Sequence, residues 1–64
     1  MSADEMFELI GYKNTFNNFY EDDFGNTIEF ESKYNTIKIK GSINVDDLQA
    51  INKKCQELGW LKED

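Results

Sequence analysis

The acidic segment 21–26, Glu-Asp-Asp-Phe-Gly-Asn, holds the residues of this sequence best suited to binding a metal ion. Calcium and magnesium prefer carboxylate and carbonyl oxygens, which the segment supplies. An EF-hand loop, however, alternates its acidic ligands before a glycine and places a glutamate six positions after it. Counting back from Gly25 puts Tyr20 at the first ligand position. The spacing therefore predicts a hairpin turn with solvated charges and no metal site.

The sequence offers few residues for catalysis. It has no histidine, which is the commonest general base. Cys55 is the single cysteine and lies on the apolar stripe of a predicted helix, which favours a buried structural thiol over a nucleophile. The carboxylates have no evident apolar setting that would raise a pKa for glycoside hydrolysis. We therefore predict a protein that is not an enzyme, with no catalytic residues and no cofactor.

Acidic and aromatic residues of a predicted hairpin form the best candidate for a binding surface. Charged residues around an exposed aromatic side chain are common in protein-binding patches. Carboxylates also keep small proteins soluble and protect sheet edges, so the alternative is a purely solubilising surface. Nine aromatic residues exceed what one small core hides easily, which favours a partner surface. The candidate partner-binding residues are Phe19, Glu21, Asp22, Asp23, Phe24, Glu29 and Glu31.

The charge balance limits the partners of such a surface. Thirteen acidic residues against seven lysines give a net charge of −6, and the chain has no arginine. Nucleic-acid binding depends on Lys and Arg contacts to phosphate, and an acidic domain repels a polyanion at long range. Direct binding of DNA or RNA is therefore disfavoured.

Length and composition indicate one cytoplasmic domain covering residues 1–64. A chain this short has room for one core, and its single cysteine leaves no disulfide within the chain. The start of the sequence has no basic region of a signal peptide. Its apolar runs are far shorter than the roughly 20 residues that span a membrane, so no membrane contact is expected. Homodimerisation is a further way for so small a core to bury surface.

Capping residues and apolar periodicity predict a helix near each end of the chain. Ser2 and Glu5 have the spacing of a capping box, so a short helix is predicted over residues 4–10, ended by Gly11. Its apolar stripe must dock on other elements, because isolated helices shorter than ~12–15 residues rarely persist in water.

The second helix is predicted over residues 45–58, with Asn44 as its N-cap and Gly59 in a Schellman ending. Ile43 is expected to contact Leu48 as a hydrophobic staple. Residues 62–64 are expected to form a frayed tail. The helix face predicted to cover the sheet consists of Leu48, Ile51, Cys55 and Leu58.

Alternating apolar residues predict a three-stranded antiparallel meander, with strands at 15–20, 27–31 and 36–40. A three-residue loop, 23–25, would pair Tyr20 with Ile28, whereas a loop one residue longer would turn Phe19 inward in place of Tyr20. On the solvent face of the second hairpin, Glu29 is expected to lie opposite Lys38. The inner face is predicted to consist of Phe16, Tyr20, Ile28, Phe30, Ile37 and Ile39. The predicted fold class is α+β in the order αβββα, with the second helix packed on one face of the sheet.

Three segments resemble small phage and prophage proteins of Gram-positive bacteria. They are residues 6–12 (Met-Phe-Glu-Leu-Ile-Gly-Tyr), 28–30 (Ile-Glu-Phe) and 48–60 (Leu-Gln-Ala-Ile-Asn-Lys-Lys-Cys-Gln-Glu-Leu-Gly-Trp). That group has no assigned activity, and the resemblance implies an accessory protein that binds a host or phage protein. The alternatives are a structural homodimer whose exposed aromatic residues close on themselves, and a DNA mimic that inhibits a nucleic-acid-binding host protein.

Overall fold

The computed structural model describes residues 1–62, which form two helices and a four-stranded antiparallel sheet. The elements are α1 (Ala3–Leu9), β1 (Lys13–Phe16), β2 (Phe19–Glu21), β3 (Thr27–Glu31), β4 (Thr36–Lys40) and α2 (Val45–Glu57). The strands lie in chain order, each antiparallel to the next. The α+β class is confirmed, and neither described helix has the length and apolar character needed to cross a bilayer. Residues 63 and 64 of the predicted tail lie outside the described residues.

The prediction of three strands was wrong by one. The predicted strand 15–20 is divided at Asn17 and Asn18 into β1 and β2. Asn17 has a φ of +40°, and asparagine is one of the residues that tolerates this left-handed region. Phe16 therefore pairs with Phe19 across a tight turn, and it is 71% exposed where the sequence predicted a core residue.

The hairpin of β2 and β3 has the first of the two predicted registers. Tyr20 pairs with Ile28, and both side chains are buried. Across the loop 23–25, the Asp22 N–H donates to the Asn26 carbonyl at 3.1 Å. The glycine of this loop has a φ of +85°, the left-handed conformation expected at that position.

The packed face of α2 differs from the predicted one. Its buried residues are Asp47, Ala50, Ile51 and Cys55, whereas Leu48 is 53% exposed. Ile39 also remains 43% exposed, although it pairs with the buried Ile28 on the inner face. Ile43 and Leu48 are both exposed in part, and the predicted staple contact between them stays a prediction.

Packing between the two helices explains this rotation of α2. The Ala3 N–H at the start of α1 donates to Glu57 Oε2 at the end of α2, at 2.8 Å. Ala3 and Ala50 have no exposed surface, and such small side chains allow two helices to approach closely. The side of α2 that carries Ala50 is buried in the core beside α1, and Leu48 lies outside that core.

Aromatic rings form the centre of the core. Phe7 of α1 stacks on Tyr20, with ring centroids 4.3 Å apart and 25° between the ring planes. Phe30 and Tyr12 meet Phe7 edge to face at 6.2 and 5.8 Å. The Tyr20 hydroxyl donates to the Asp4 carboxylate. Burial is the main cause that raises the pKa of Tyr20, and this hydrogen bond is the second cause. Helix α1 is thus held against the inner face of the sheet, and neither helix of residues 1–62 covers the outer face.

Candidate binding site

The seven candidate residues fall into two groups, which lie on different parts of the hairpin. Strand alternation places four of them on the outer face of the sheet, because their neighbours Tyr20, Ile28 and Phe30 are buried on the inner face. The other three belong to the loop between β2 and β3. The outer-face group is Phe19, Glu21, Glu29 and Glu31, and the loop group is Asp22, Asp23 and Phe24.

Lysines of β4 share the outer face with the acidic residues. Glu29 lies opposite Lys38, as predicted, and Glu31 Oε1 is 3.6 Å from Lys38 Nζ. An exposed ion pair of this kind contributes ~0–1 kcal/mol. The apolar part of this face is the pair Phe16 and Phe19, beside a shallow groove of about 320 Å³. The outer face is therefore mixed in charge, with two paired aromatic residues at one end.

Asp22 gives the β2–β3 loop its shape. Its Oδ1 accepts the N–H groups of Phe24 at 3.0 Å and Asn26 at 2.9 Å, and its Oδ2 accepts Asn26 Nδ2 at 2.7 Å. The side-chain hydrogen bond from Asn26 is the main cause that lowers the pKa of Asp22. The loop is thus hydrogen-bonded internally, yet the Phe24 side chain at its tip is 90% exposed.

Asn26 connects this loop to the segment between β4 and α2. Gly41 in that segment has a φ of +98°, and a Cβ atom placed on it would lie 2.8 Å from Asn26 Cγ. Such a separation is too short for two carbon atoms, so the contact requires glycine. The β2–β3 loop is therefore in close contact with the chain that leads into α2.

The start of α2 places a buried carboxylate near the same loop. Asn44 Oδ1 accepts the Asp47 N–H at 2.8 Å, and Asp47 Oδ2 accepts the Asn44 N–H at 3.0 Å, which forms a reciprocal capping box. Asp47 is only 6% exposed. Asn44 is recognisable from the sequence as the N-cap, whereas Asp47 was not predicted as a site residue, although its spacing of three residues from Asn44 is a visible signal.

Tyr12, which follows the end of α1, is a third residue near the β2–β3 loop and the start of α2. Its N–H donates to the Phe7 carbonyl at 2.9 Å, in the same Schellman ending that Trp60 makes with Cys55 after α2. Tyr12 is 3% exposed, and in the described part of the chain its hydroxyl is the one buried side-chain polar atom without a hydrogen-bond partner. Burial is the main cause that raises the pKa of Tyr12, and the negative charges of Asp47 and Asp22 raise it further.

A pocket of about 340 Å³ lies between the end of α1, the β2–β3 loop and the start of α2. We call it the tip pocket, and the residues that matter most in its lining are Tyr12, Asp22, Phe24, Ile43 and Asp47. Of the described residues that line it, none is a lysine. The tip pocket therefore combines two carboxylates and an unpaired hydroxyl with apolar walls. Asp22 and Phe24 were predicted from the sequence as candidate binding residues. The position of Tyr12 and Asp47 in the same pocket was not predicted.

Other reactive groups lie outside this pocket. Cys55 is buried, as predicted, and burial raises the pKa of its thiol, which disfavours the nucleophilic thiolate. Among the described residues, no group of three or more acidic, cysteine or histidine side chains is placed to hold a metal ion.

We expect the β2–β3 loop to lose support in acid. A carboxylate whose pKa is lower in the folded chain stabilises the fold above its unfolded pKa, ~3.9 for Asp, and loses that contribution as the pH falls through the folded pKa. The wild type should therefore be more stable than Asp22→Ala near neutral pH, and the difference should shrink in acid below ~pH 4. Urea unfolding of both proteins at neutral and acidic pH measures this difference. Asp23→Ala is the matched exposed control, and a difference for Asp22 that did not change with pH would contradict its role in the loop.

No protein-family model, curated protein or solved structure matches this chain. A function for this protein is therefore inferred from the geometry and charge of the two surfaces described above.

Proposed function

We propose that this protein acts by binding a basic partner protein through its tip surface, defined as Asp22, Asp23, Phe24, Asp46 and Asp47. The observation that carries the proposal is the 90% exposure of Phe24 on a loop that Asp22 holds in one conformation. A backbone fixed by hydrogen bonds loses little conformational entropy on binding, so less of the free energy gained by burying the aromatic side chain is offset. Exposed aromatic residues surrounded by polar groups are typical anchors of protein interfaces.

The charge of the tip surface supports a basic partner. Four of its five residues are aspartates, and the whole chain carries a net charge of −6. The positive end of the α2 dipole, about half a unit charge, offsets only a small part of this negative charge. Opposite charge on a partner would accelerate association and make its rate fall with added salt.

Binding is favoured over catalysis by the state of the reactive groups. The chain has no histidine, and the thiol of Cys55 is buried in the core. The resemblance of three segments to small phage and prophage proteins supports an accessory role of the same type. A DNA mimic is less well supported, because Lys38 and Lys40 interrupt the carboxylates of the outer face.

A second candidate function is a structural homodimer formed through the outer face. The paired side chains of Phe16 and Phe19 favour it, because they place apolar surface on a sheet face that no helix covers. In such a dimer the two aromatic pairs would pack against each other across a twofold axis.

A photocrosslinker at the tip tests the proposal directly. The variant Phe24→p-benzoylphenylalanine keeps an aromatic ring at the exposed position and forms a covalent bond with a neighbouring protein on irradiation. Expressed in the protein's native cells, it should give one discrete adduct with a second protein, which mass spectrometry then identifies. Affinity measured with that purified partner should fall at least tenfold for Phe24→Ala, the loss typical of an interface anchor.

Tyr34 provides the matched control position. It is 67% exposed and lies in the β3–β4 turn, so a crosslinker there should give no adduct with the same protein. An adduct at twice the protein's own mass from a crosslinker at Phe16 would support the homodimer instead. Absence of any adduct from position 24 would contradict the proposed function.

A further inference from the structure

Tyr12 has a buried hydroxyl without a hydrogen-bond partner among the described residues. Buried polar groups in folded proteins are nearly always paired, because an unpaired group loses its hydrogen bonds to water without replacement. The Tyr12 side chain is 3% exposed and its hydroxyl has no partner among the described residues. The carboxylates that raise its pKa, after burial itself, are those of Asp47 and Asp22, both of which line the tip pocket. Tyr12 therefore shares the lining of the tip pocket with both carboxylates.

The carboxylates of the tip pocket have capacity for further donors. An ionised carboxylate has about four lone-pair sites, and the hydrogen bonds described above occupy three on Asp22 and one on Asp47. The hydroxyl oxygen of Tyr12, a residue of the same lining, is a third acceptor and has no partner among the described residues. The pocket thus presents three acceptor groups and negative charge, which suits a ligand with a positive charge and several N–H donors.

Among cations, a primary ammonium on an apolar stem fits best. Calcium takes six to eight oxygen ligands, more than two carboxylates already engaged by N–H groups and one hydroxyl offer. A guanidinium prefers both oxygens of one free carboxylate, whereas both oxygens of Asp22 are engaged by the loop. An ammonium has three donors for three acceptors. Phe24 and Ile43 supply apolar contact for the methylene groups of its stem.

We propose that the tip pocket binds the side chain of a lysine residue of the partner protein, whose ammonium group donates to Tyr12, Asp22 and Asp47. The pocket volume of about 340 Å³ is at the lower end of the range of small-ligand sites, which suits a single side chain. This inference deepens the proposed function and rests on it, since it names the group that the tip surface recognises.

Titration of the ¹⁵N-labelled protein with Nα-acetyl-lysine N-methylamide tests the inference without the partner. Saturable changes in amide chemical shift are expected in the loop 22–26 and in residues 42–47. The norleucine analogue has the same stem without the ammonium, and it should leave these amides unchanged. Tyr12→Phe removes one oxygen and should weaken binding of the lysine probe about tenfold, as expected for a hydrogen bond to a charged group. Tyr34→Phe, which removes an exposed hydroxyl, should bind as the wild type does.

Several results would overturn the inference. Shifts that do not saturate would mean that the Tyr12 hydroxyl is paired with a bound water only. Equal shifts from the norleucine analogue would show an apolar groove, and equal shifts from magnesium chloride alone would show a general cation site. If Tyr12→Phe bound the lysine probe with unchanged affinity, the Tyr12 hydroxyl would not be a ligand of the ammonium group. If that variant does not fold, the comparison of the lysine and norleucine probes on the wild type still tests whether the pocket recognises the ammonium group.

The two proposals fail separately. If the lysine probe does not bind but the crosslinker at Phe24 still captures a protein, the lysine site is wrong and the proposed function remains. If the lysine probe binds while position 24 gives no adduct, the pocket is an ammonium site and the tip is not a protein-binding surface.

Discussion

The variant Phe7→Ala is expected to lose a large part of its stability. Phe7 is 1% exposed and touches the rings of Tyr20, Tyr12 and Phe30, so its removal leaves a cavity at the junction of α1 and the sheet. Replacement of a core phenylalanine by alanine costs ~3–5 kcal/mol. A chain of this length has a total stability of roughly 3–10 kcal/mol. The loss is therefore a large fraction of the free energy of folding, and urea titration followed by far-ultraviolet circular dichroism measures it.

Phe16→Ala is the matched control for this prediction. It makes the same chemical change at a side chain that is 71% exposed. Its free energy of unfolding should stay within ~0.5 kcal/mol of the wild type, as for most surface substitutions. If the two variants lost equal stability, the aromatic cluster around Phe7 would not be the centre of the core.

Gly41→Ala is expected to have the second largest effect on stability. Its φ of +98° costs an L-residue ~1–2 kcal/mol, and the new Cβ would also overlap the side chain of Asn26. Asn26 would have to rotate, which breaks its hydrogen bond to Asp22 and loosens the tip loop. We therefore expect a loss greater than the backbone strain alone, measured by urea unfolding, and weaker binding of the lysine probe.

Gly25→Ala separates backbone strain from steric overlap. Gly25 has a similar φ of +85°, but a Cβ atom there would have no neighbour within 4 Å. It should therefore show the strain cost of ~1–2 kcal/mol and no more. In an Asn26→Ala background, which removes the overlapping atoms, Gly41→Ala should cost about as much as Gly25→Ala. A larger loss for Gly25→Ala than for Gly41→Ala would contradict the close contact between the two loops.

Local features of this fold followed from local chemistry. The capping box of α1, the N-cap Asn44 of α2 and the glycine endings of both helices depend on residues close in sequence, so short patterns predicted them. The pairing of Tyr20 with Ile28 was one of two registers that the loop pattern allowed. The division of the strand at Asn17 was also local, but an asparagine in the left-handed conformation is a weaker signal than a glycine. The hairpin residues Asp22 and Phe24 could be proposed from sequence for the same reason.

The sequence by itself determined where the helices begin and end to within a residue, the pairing of β3 with β4 and the negative charge of the chain. It allowed two registers for β2 and β3, of which the structure has the first. Only the tertiary structure decided which side of α2 is buried, because packing against α1 and the core buries Ala50 with Ile51 and Cys55 and leaves Leu48 of the apolar stripe exposed. It also decided the composition of the tip pocket. Tyr12 and Asp47 are 35 positions apart and meet through the packing of α1 against α2, a relation that no periodicity encodes.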